Sequence, residues 1–353
     1  MTPLSVRTTA HVEVTNPEGF LSTLLDHLET HADVERGKDA AHIVSVYGNV
    51  WLRRAPPGLK IEAIAATPSA LAIMRGFIAD HVFEFAGDAQ IRWSGDGAED
   101  TVPANFQEVI VERVEAITPR MRRIVFRAGN LPALLCPDHF HVRLLFPAEG
   151  RAPCWPRQSA NGRVVWPTGE DALSSRVYTI RWADDRTATF AIDFVLHHDG
   201  TSGPGAAFAC RAKRFAVAGL LGPGGGGMPP GTKLLLIGDE TALPAMARIA
   251  ETSGVQTGVE AIVEIADDAE RAYLCPRRGF QVTWLPRNGR PAGQSEALLQ
   301  AVESRLVRET QALTVWAGCE HRVAAQLRAK LAAFSQCQSK GQITAYWKRD
   351  RQA

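Results

Sequence analysis

The chain has no Cys-x-x-C pair. Its six cysteines (Cys136, Cys154, Cys210, Cys275, Cys319, Cys337) are scattered, which argues against zinc or iron–sulfur ligation and against a disulfide framework, and suits reduced thiols. Neither sign of charge is in excess. The 39 Lys and Arg stand against 38 Asp and Glu, a formal net charge of +1, so no global field draws the molecule to nucleic acid or to a membrane surface and charge-based recognition has to be local. No apolar run reaches the length of a membrane span, and Met1 to Ala10 lacks the apolar core of a signal peptide; a cytoplasmic location without membrane insertion is the expectation. A phosphate-binding loop is also missing. Gly222 to Gly227 lacks the lysine and hydroxyl of such a loop and reads as a hinge.

What remains is an ordinary globular composition, 45% hydrophobic and 22% charged over 353 residues, long enough for two or three domains. Residues 1–97 read as a small α+β unit. Thr8 to Val14 is strand-like, Pro17 to His31 has helical spacing, short strands lie in Ala41 to Tyr47, Asn49 to Arg53 and Lys60 to Ala65, and Ser69 to Phe85 is a second helix. His27, His31, His42 and His81 have no tight ligand spacing and read as solvated or core histidines, so no metal site is expected. The small, acidic stretch Ser94 to Asp100 reads as a linker.

From residue 104 to 228 the pattern is that of an antiparallel β-barrel. Phe106 to Ile117 and Arg122 to Phe126 are strands, His141 to Pro147 is another, and Arg151 to Asp171 is a long Pro/Gly-rich barrel loop. His139 and His141, expected on one strand face, read as structural. Residues 229–353 alternate strand and helix, which gives a parallel sheet whose ligand lies beyond the strands' carboxyl ends.

Three stretches carry candidate chemistry. In Ser175-Arg176-Val177-Tyr178-Thr179-Ile180-Arg181, strand alternation places Arg176, Tyr178 and Ile180 on one face and Thr179 and Arg181 on the other. A guanidinium, a phenol and a hydroxyl so spaced suit a flavin nucleotide, and equally an edge strand with a surface arginine. Asp193-Phe194-Val195-Leu196-His197 followed by Gly203-Pro204-Gly205-Ala206-Ala207 reads as strand, turn and helix start, where backbone N–H groups and the helix dipole favour an anion. Leu234 to Ile237 runs through Gly238-Asp239-Glu240-Thr241-Ala242 into a helix that Pro244 fixes in its first turn.

In order and spacing these stretches resemble the siderophore-interacting proteins, FAD-dependent ferric-siderophore reductases of the ferredoxin-reductase superfamily; residues 1–97 resemble a domain of unknown function often fused to them. The resemblance implies a multidomain chain, with an FAD-binding β-barrel and an α/β NAD(P)H-binding domain after the accessory domain. It implies FAD contacts at Arg176, Val177, Tyr178, Thr179, Asp193, Val195, His197, Gly203, Pro204, Gly205, Ala206 and Ala207. Nicotinamide contacts are implied at Gly238, Asp239, Glu240, Thr241 and Ala242, and a cationic pair, Arg143 and Arg181, for the ferric chelate.

Two departures stand out. The family usually has Ala-Ser where this chain has Gly205-Ala206, and Asp239 and Glu240 repel phosphate unless turned away or used as caps. Asp267 is either a ribose ligand or a solvated acid. Arg305, Arg308, Arg322 and Arg328 are candidates for a 2′-phosphate, leaving NADH, NADPH or a ferredoxin open as donor. Two other functions stay in view, a general NAD(P)H-flavin or ferredoxin-type reductase and a non-catalytic siderophore-binding module.

Overall fold

A computed structural model describes residues 5–14, 16–29, 32–45, 47–87, 89–135, 139–196, 203–254, 256–294, 296–334, 337–338 and 342–349. Its contacts divide into two compact units, residues 1–106 with 147–173, and residues 107–146 with 174–353.

The first unit opens with β1 (Val6–Glu13), α1 (Pro17–Leu28), β2 (Asp33–Arg36), β3 (Ala40–Ser45), β4 (Gly48–Ala55), β5 (Gly58–Ala65), α2 (Pro68–Phe85) and β6 (Gln90–Gly95). The strands form one antiparallel sheet, ordered β2-β3-β4-β5-β1-β6. Both helices start on side-chain caps, Asn16 and Thr67, with proline in the first turn, satisfying amide groups that have no partner inside the helix. Leu24, Leu25 and Leu28 of α1 and Leu71, Ile78 and Val82 of α2 pack with Val12, Leu52 and Ile61 of the sheet.

The edge strands β2 and β6 were not anticipated. Nothing in Asp33–Arg36 is buried, and Ile91 is the one fully buried side chain of β6, so neither carries the apolar alternation that marks a strand.

The expected linker is part of this unit. The Arg7 amide donates to the Asp96 carboxylate at 2.8 Å, and the buried Arg75 guanidinium donates to the Gly97 carbonyl. The expected barrel loop also belongs here. It contains the short hairpin β10 (Arg157–Gln158) and β11 (Val164–Val165). The Trp93 indole donates to the Asn161 carbonyl at 2.8 Å, Arg163 pairs with Asp80 at 2.8 Å, and the Gln158 amide donates to the Thr101 carbonyl.

In the second unit β7 (Phe106–Thr118, whose first residue belongs to the first unit), β8 (Met121–Ala128), β9 (His141–Phe146), β12 (Ser174–Asp184), β13 (Thr189–Val195) and β14 (Val217–Gly224) close a barrel ordered β12-β13-β8-β7-β14-β9. Helix α3 (Pro204–Arg211) lies between β13 and β14. Phe126, Leu144, Ile180, Phe190, Phe194 and Leu220 fill the barrel.

The chain then alternates: β15 (Lys233–Gly238), α4 (Leu243–Thr252), β16 (Gly258–Ile265), β17 (Phe280–Pro286), α5 (Ala297–Leu306), β18 (Leu313–Glu320), α6 (His321–Leu331), β19 (Cys337–Gln338) and β20 (Ile343–Trp347). The sheet is parallel in the order β17-β16-β15-β18-β19, with β20 also on β18. Every residue of β18 is buried, as expected of a strand covered on both faces. Barrel and α/β domain share a core: Met121 and Phe140 pack in one cluster with Leu234, Leu236 and Met246. This is the ferredoxin-reductase-like architecture. No helix among the described residues is long and apolar enough to cross a membrane.

Candidate functional site

The alternation expected along the flavin strand is present. Arg176 and Tyr178 pair with Leu144 and Val142 of β9, and Val177 and Thr179 with Arg143 and His141, so the two sets lie on opposite faces. The first face leads into the barrel, where Leu144 and Ile180 are fully buried, and Arg176 sits at its exposed end. A register shift after Ile180 ends the simple alternation before Arg181.

Tyr178 has its ring 4.5 Å from that of Phe194 and edge-on to Phe146 at 6.4 Å. Burial pushes its phenol pKa up. A Cβ built on Gly205 would overlap the Tyr178 phenol oxygen, so glycine is what lets strand and helix meet at this point. The same contact accounts for glycine at 205, but not for alanine in place of serine at 206.

Gly203 stands at the start of α3 with no side-chain cap, and Pro204 follows. The first turn bond there runs from the Ala207 amide to the Gly203 carbonyl, which leaves the Gly205 and Ala206 amides among the donors a helix start presents. The exposed Arg176 guanidinium donates to the Ser175 carbonyl through Nη1 at 2.8 Å, with further N–H groups to offer. An uncapped helix start, a glycine-permitted close approach and an exposed guanidinium two residues from Tyr178 fit a nucleotide pyrophosphate.

Other expected contacts are committed elsewhere. The Asp193 carboxylate takes a bidentate pair from Arg123 at 2.7 and 2.8 Å and the Tyr273 hydroxyl, so its side chain is a core tie rather than a cofactor ligand. Val195 pairs with Met121 of the neighbouring strand β8. His197 lies outside the described residues. Arg181 is held bidentately by Glu251 of α4 at 2.6 and 2.6 Å, which removes it from the cationic pair. Arg143 remains exposed, with one long bond of 3.3 Å to the Ser175 hydroxyl.

Thr179 belongs to a chain of bonds that sequence reasoning missed. His141 places Nδ1 3.0 Å from the Gly225 carbonyl and Nε2 2.8 Å from the Tyr346 hydroxyl. Burial lowers the imidazole pKa, the Gly225 bond opposes the shift and neighbouring Arg248 adds to it, which favours the neutral ring. Nδ1–H therefore donates to Gly225 and Nε2 accepts from Tyr346. The Thr179 hydroxyl hydrogen-bonds the same phenol. Gly226, at φ +58°, lies against His141, where a Cβ would come within 2.8 Å of the ring; the glycine run is thus packed on β9 rather than serving as a hinge. Tyr346 is more than 160 residues from either partner, and no local pattern announces it.

At the carboxyl end of the parallel sheet, Asp239 and Glu240 face inward. Asp239 accepts from the Thr241 amide at 2.9 Å, the Thr241 hydroxyl at 2.5 Å and the Trp347 indole at 2.8 Å. Burial and neighbouring Glu240 push its pKa up to about 6. Glu240 is bidentate with buried Arg287 at 2.8 and 2.6 Å, and Glu264 lies 3.5 Å from the same guanidinium. Glu320 caps α6 through the Arg322 and Val323 amides. At the point where strand order reverses, the turn Glu240–Ala242 that leads from β15 into α4 is thus capped by Asp239 and the start of α6 after β18 by Glu320, while the first residue of α4 has no side-chain cap of its own.

Gly238 and Ala242 are buried beside them, so within the expected run from Gly238 to Ala242 the carboxylates of Asp239 and Glu240 are engaged internally. Asp267 caps the turn at Asp268–Tyr273. Arg305 is bidentate with Glu260 and also bonds Glu309, and Arg328 donates to the Ile343 carbonyl; neither is waiting for a 2′-phosphate.

Three family models match: siderophore-interacting protein over residues 232–350, siderophore-interacting FAD-binding domain over 110–227, and a conserved bacterial domain of uncharacterized function over 9–94. The chain belongs to the siderophore-interacting protein family. A siderophore utilization protein from T. fusca is 32% identical and superposes with a TM-score of 0.58, covering 71% of this chain and 95% of that one. An uncharacterized protein of Mycobacterium bovis is 31% identical over 70% of this chain and 92% of its own length. The ferric vibriobactin reductase of Vibrio cholerae is 26% identical over 60% of this chain and 77% of its own length. In this family member the expected cofactor residues separate into a set around α3, whose start has no side-chain cap, and a set at Asp239 and Glu240 that is engaged internally.

Proposed function

We propose that the protein is an FAD-dependent ferric-siderophore reductase. The observation that carries this reading is the uncapped start of α3 at Gly203, brought against Tyr178 by Gly205 on the same strand as exposed Arg176. Membership of a family that includes a protein named ferric vibriobactin reductase supplies the substrate class. Bound flavin would supply redox chemistry, taking electrons from a donor and passing them singly to chelated Fe(III).

The protein's share is binding and electrostatics. Arg176 and the amides of Gly205 and Ala206 hold the pyrophosphate, and Tyr178 forms an apolar wall beside it. Arg143, exposed on the opposite face of the strand pair, attracts an anionic chelate. Reduction to Fe(II) weakens hard-oxygen coordination and releases iron, with no general acid–base pair required.

The same geometry favours a ferredoxin-type donor over NAD(P)H. A dinucleotide pyrophosphate at the strand-order reversal would meet the Asp239 carboxylate at the turn that leads into α4 and the Glu320 carboxylate at the start of α6.

The test is the visible spectrum of freshly purified protein, followed by turnover of a ferric triscatecholate with reduced ferredoxin, NADH and NADPH in parallel. Bound oxidised flavin, lowered occupancy in Arg176→Ala, and faster turnover with ferredoxin are expected. Arg143→Ala should keep its flavin while losing affinity for the chelate several-fold, more at low salt. Full flavin retention in Arg176→Ala would move the pyrophosphate elsewhere, and saturable NADPH turnover exceeding that with ferredoxin would overturn the donor assignment.

A further inference from the structure

His27 and His81 lie far apart in sequence and carry no ligand spacing, yet α1 and α2 bring their rings to a centroid separation of 5.1 Å. Glu84 stands three residues after His81 on α2, hence on the same helix face, with a carboxylate oxygen 3.8 Å from His27 Nε2. One ligand atom from each of the three falls within 4.8 Å of the others. We propose that His27, His81 and Glu84 form a binding site for a divalent first-row transition-metal cation at the C-terminal ends of α1 and α2.

Four features carry this beyond proximity. His81 Nδ1 lies 2.7 Å from the Phe77 carbonyl, so that nitrogen bears the proton and Nε2 holds the lone pair. An imidazole whose other nitrogen donates to a backbone carbonyl is the usual arrangement for a metal-bound histidine. Ring orientation is braced by aromatic packing, Phe77 on His81 at 4.3 Å and Phe85 edge-on to His27 at 5.1 Å. His27 and Glu84 lie in the last turns of α1 and α2 and His81 just before, where both helix dipoles present their negative ends. Two imidazoles and a carboxylate form a borderline donor set that suits zinc, cobalt and iron(II), with iron(II) the weaker by the usual order.

The closure required is small. Tetrahedral ligation with bonds of about 2.05 Å sets donor atoms about 3.3 Å apart, and the Glu84 side chain, 56% exposed, has the torsional freedom to shorten the gap. His42 serves as a built-in contrast. It is stacked on Trp51 at 4.8 Å and bonded to Glu35 and Asn49, and among the described residues it gathers no second imidazole.

The test uses the full chain, with Co(II) as the spectroscopic probe and Zn(II) as competitor. Ligand-field bands that saturate at one equivalent and are bleached by Zn(II) are expected in the parent protein and in His42→Asn. His81→Gln should remove them, and Glu84→Gln should weaken cobalt at least tenfold, on the order of what loss of a supporting ligand costs. Unfolding temperatures without metal identify any variant that simply misfolds. Should His81→Gln prove unstable, Glu84→Gln decides alone, since its side chain lies largely in water. Equal cobalt affinity in the parent and Glu84→Gln, or no saturable binding by the parent, overturns the site. Flavin content does not enter this readout, so the result stands apart from the reductase reading.

Discussion

Asp239 shows what a residue's identity conveys and what only its environment does. In the sequence it is an acid beside a helix start and reads equally as a cap or as an obstacle to phosphate. The structure makes it a buried cap next to Glu240, with the compensating Arg287 positioned 47 residues beyond Glu240. Alternation along the Arg176 strand was legible because period-two faces follow from the backbone itself. The fates of Arg181 and Asp193 were not, since Glu251, Arg123 and Tyr273 come from other elements.

A pH dependence follows for Asp239. Its folded-state pKa, about 6, lies above the ordinary value of 3.8, so the folded protein holds this proton more tightly than the unfolded chain. Stability from this group is fully present below about pH 4 and falls as pH rises toward 6, by on the order of 3 kcal/mol in all. Urea unfolding of the parent and of Asp239→Asn, compared at about pH 4.5, 5.5 and 7, should show the parent losing ground to the variant as pH rises. A difference between them that does not change with pH would remove the assignment.

Among elements, the strands and helices that declared themselves were those whose burial imposes a period. The apolar run of β15, the mostly apolar strands β16 and β18 and the leucine stripe of α1 were readable, whereas β2 and β6 gain their strand character from a neighbour rather than from their own residues. The link between β15 and β17 is less visible still. Glu240 follows the end of one, Arg287 follows the end of the other, and both side chains are 7% exposed. Removing one member of such a pair leaves an uncompensated buried charge. Arg287→Met is therefore expected to destabilise by about 3–5 kcal/mol. Arg305→Met, which breaks a half-exposed pair with Glu260 and leaves buried Glu309 its second cation, Lys233, should cost about 1 kcal/mol. Chemical denaturation of the two variants gives the comparison, and equal losses would show that burial of the Arg287 pair is not what matters.

On the scale of the whole molecule, chain order and structural unit part company. Composition pointed to a boundary within Ser94 to Asp100, because small acidic residues ordinarily belong to solvated connections. Here they are bonded to Arg7 and Arg75, and the barrel strands β9 and β12 send the intervening residues 147–173 into the first unit. A fragment beginning at residue 104 keeps the barrel and α/β cores but deprives that segment of Trp93, Asp80 and Thr101, which hold Asn161, Arg163 and Gln158. Local stability tracks such contacts, and a segment that loses them opens at little cost. Limited proteolysis should thus cut fragment 104–353 within residues 147–173 at least about tenfold faster than the full chain, since losing about 1.4 kcal/mol of protection suffices for that factor. Trp93→Ala in the full chain should give an intermediate rate, as one of the three ties is lost. Identical cleavage of fragment and full chain would mean that the segment is held by the barrel strands that bracket it, and would return the domain boundary to the place that composition suggested.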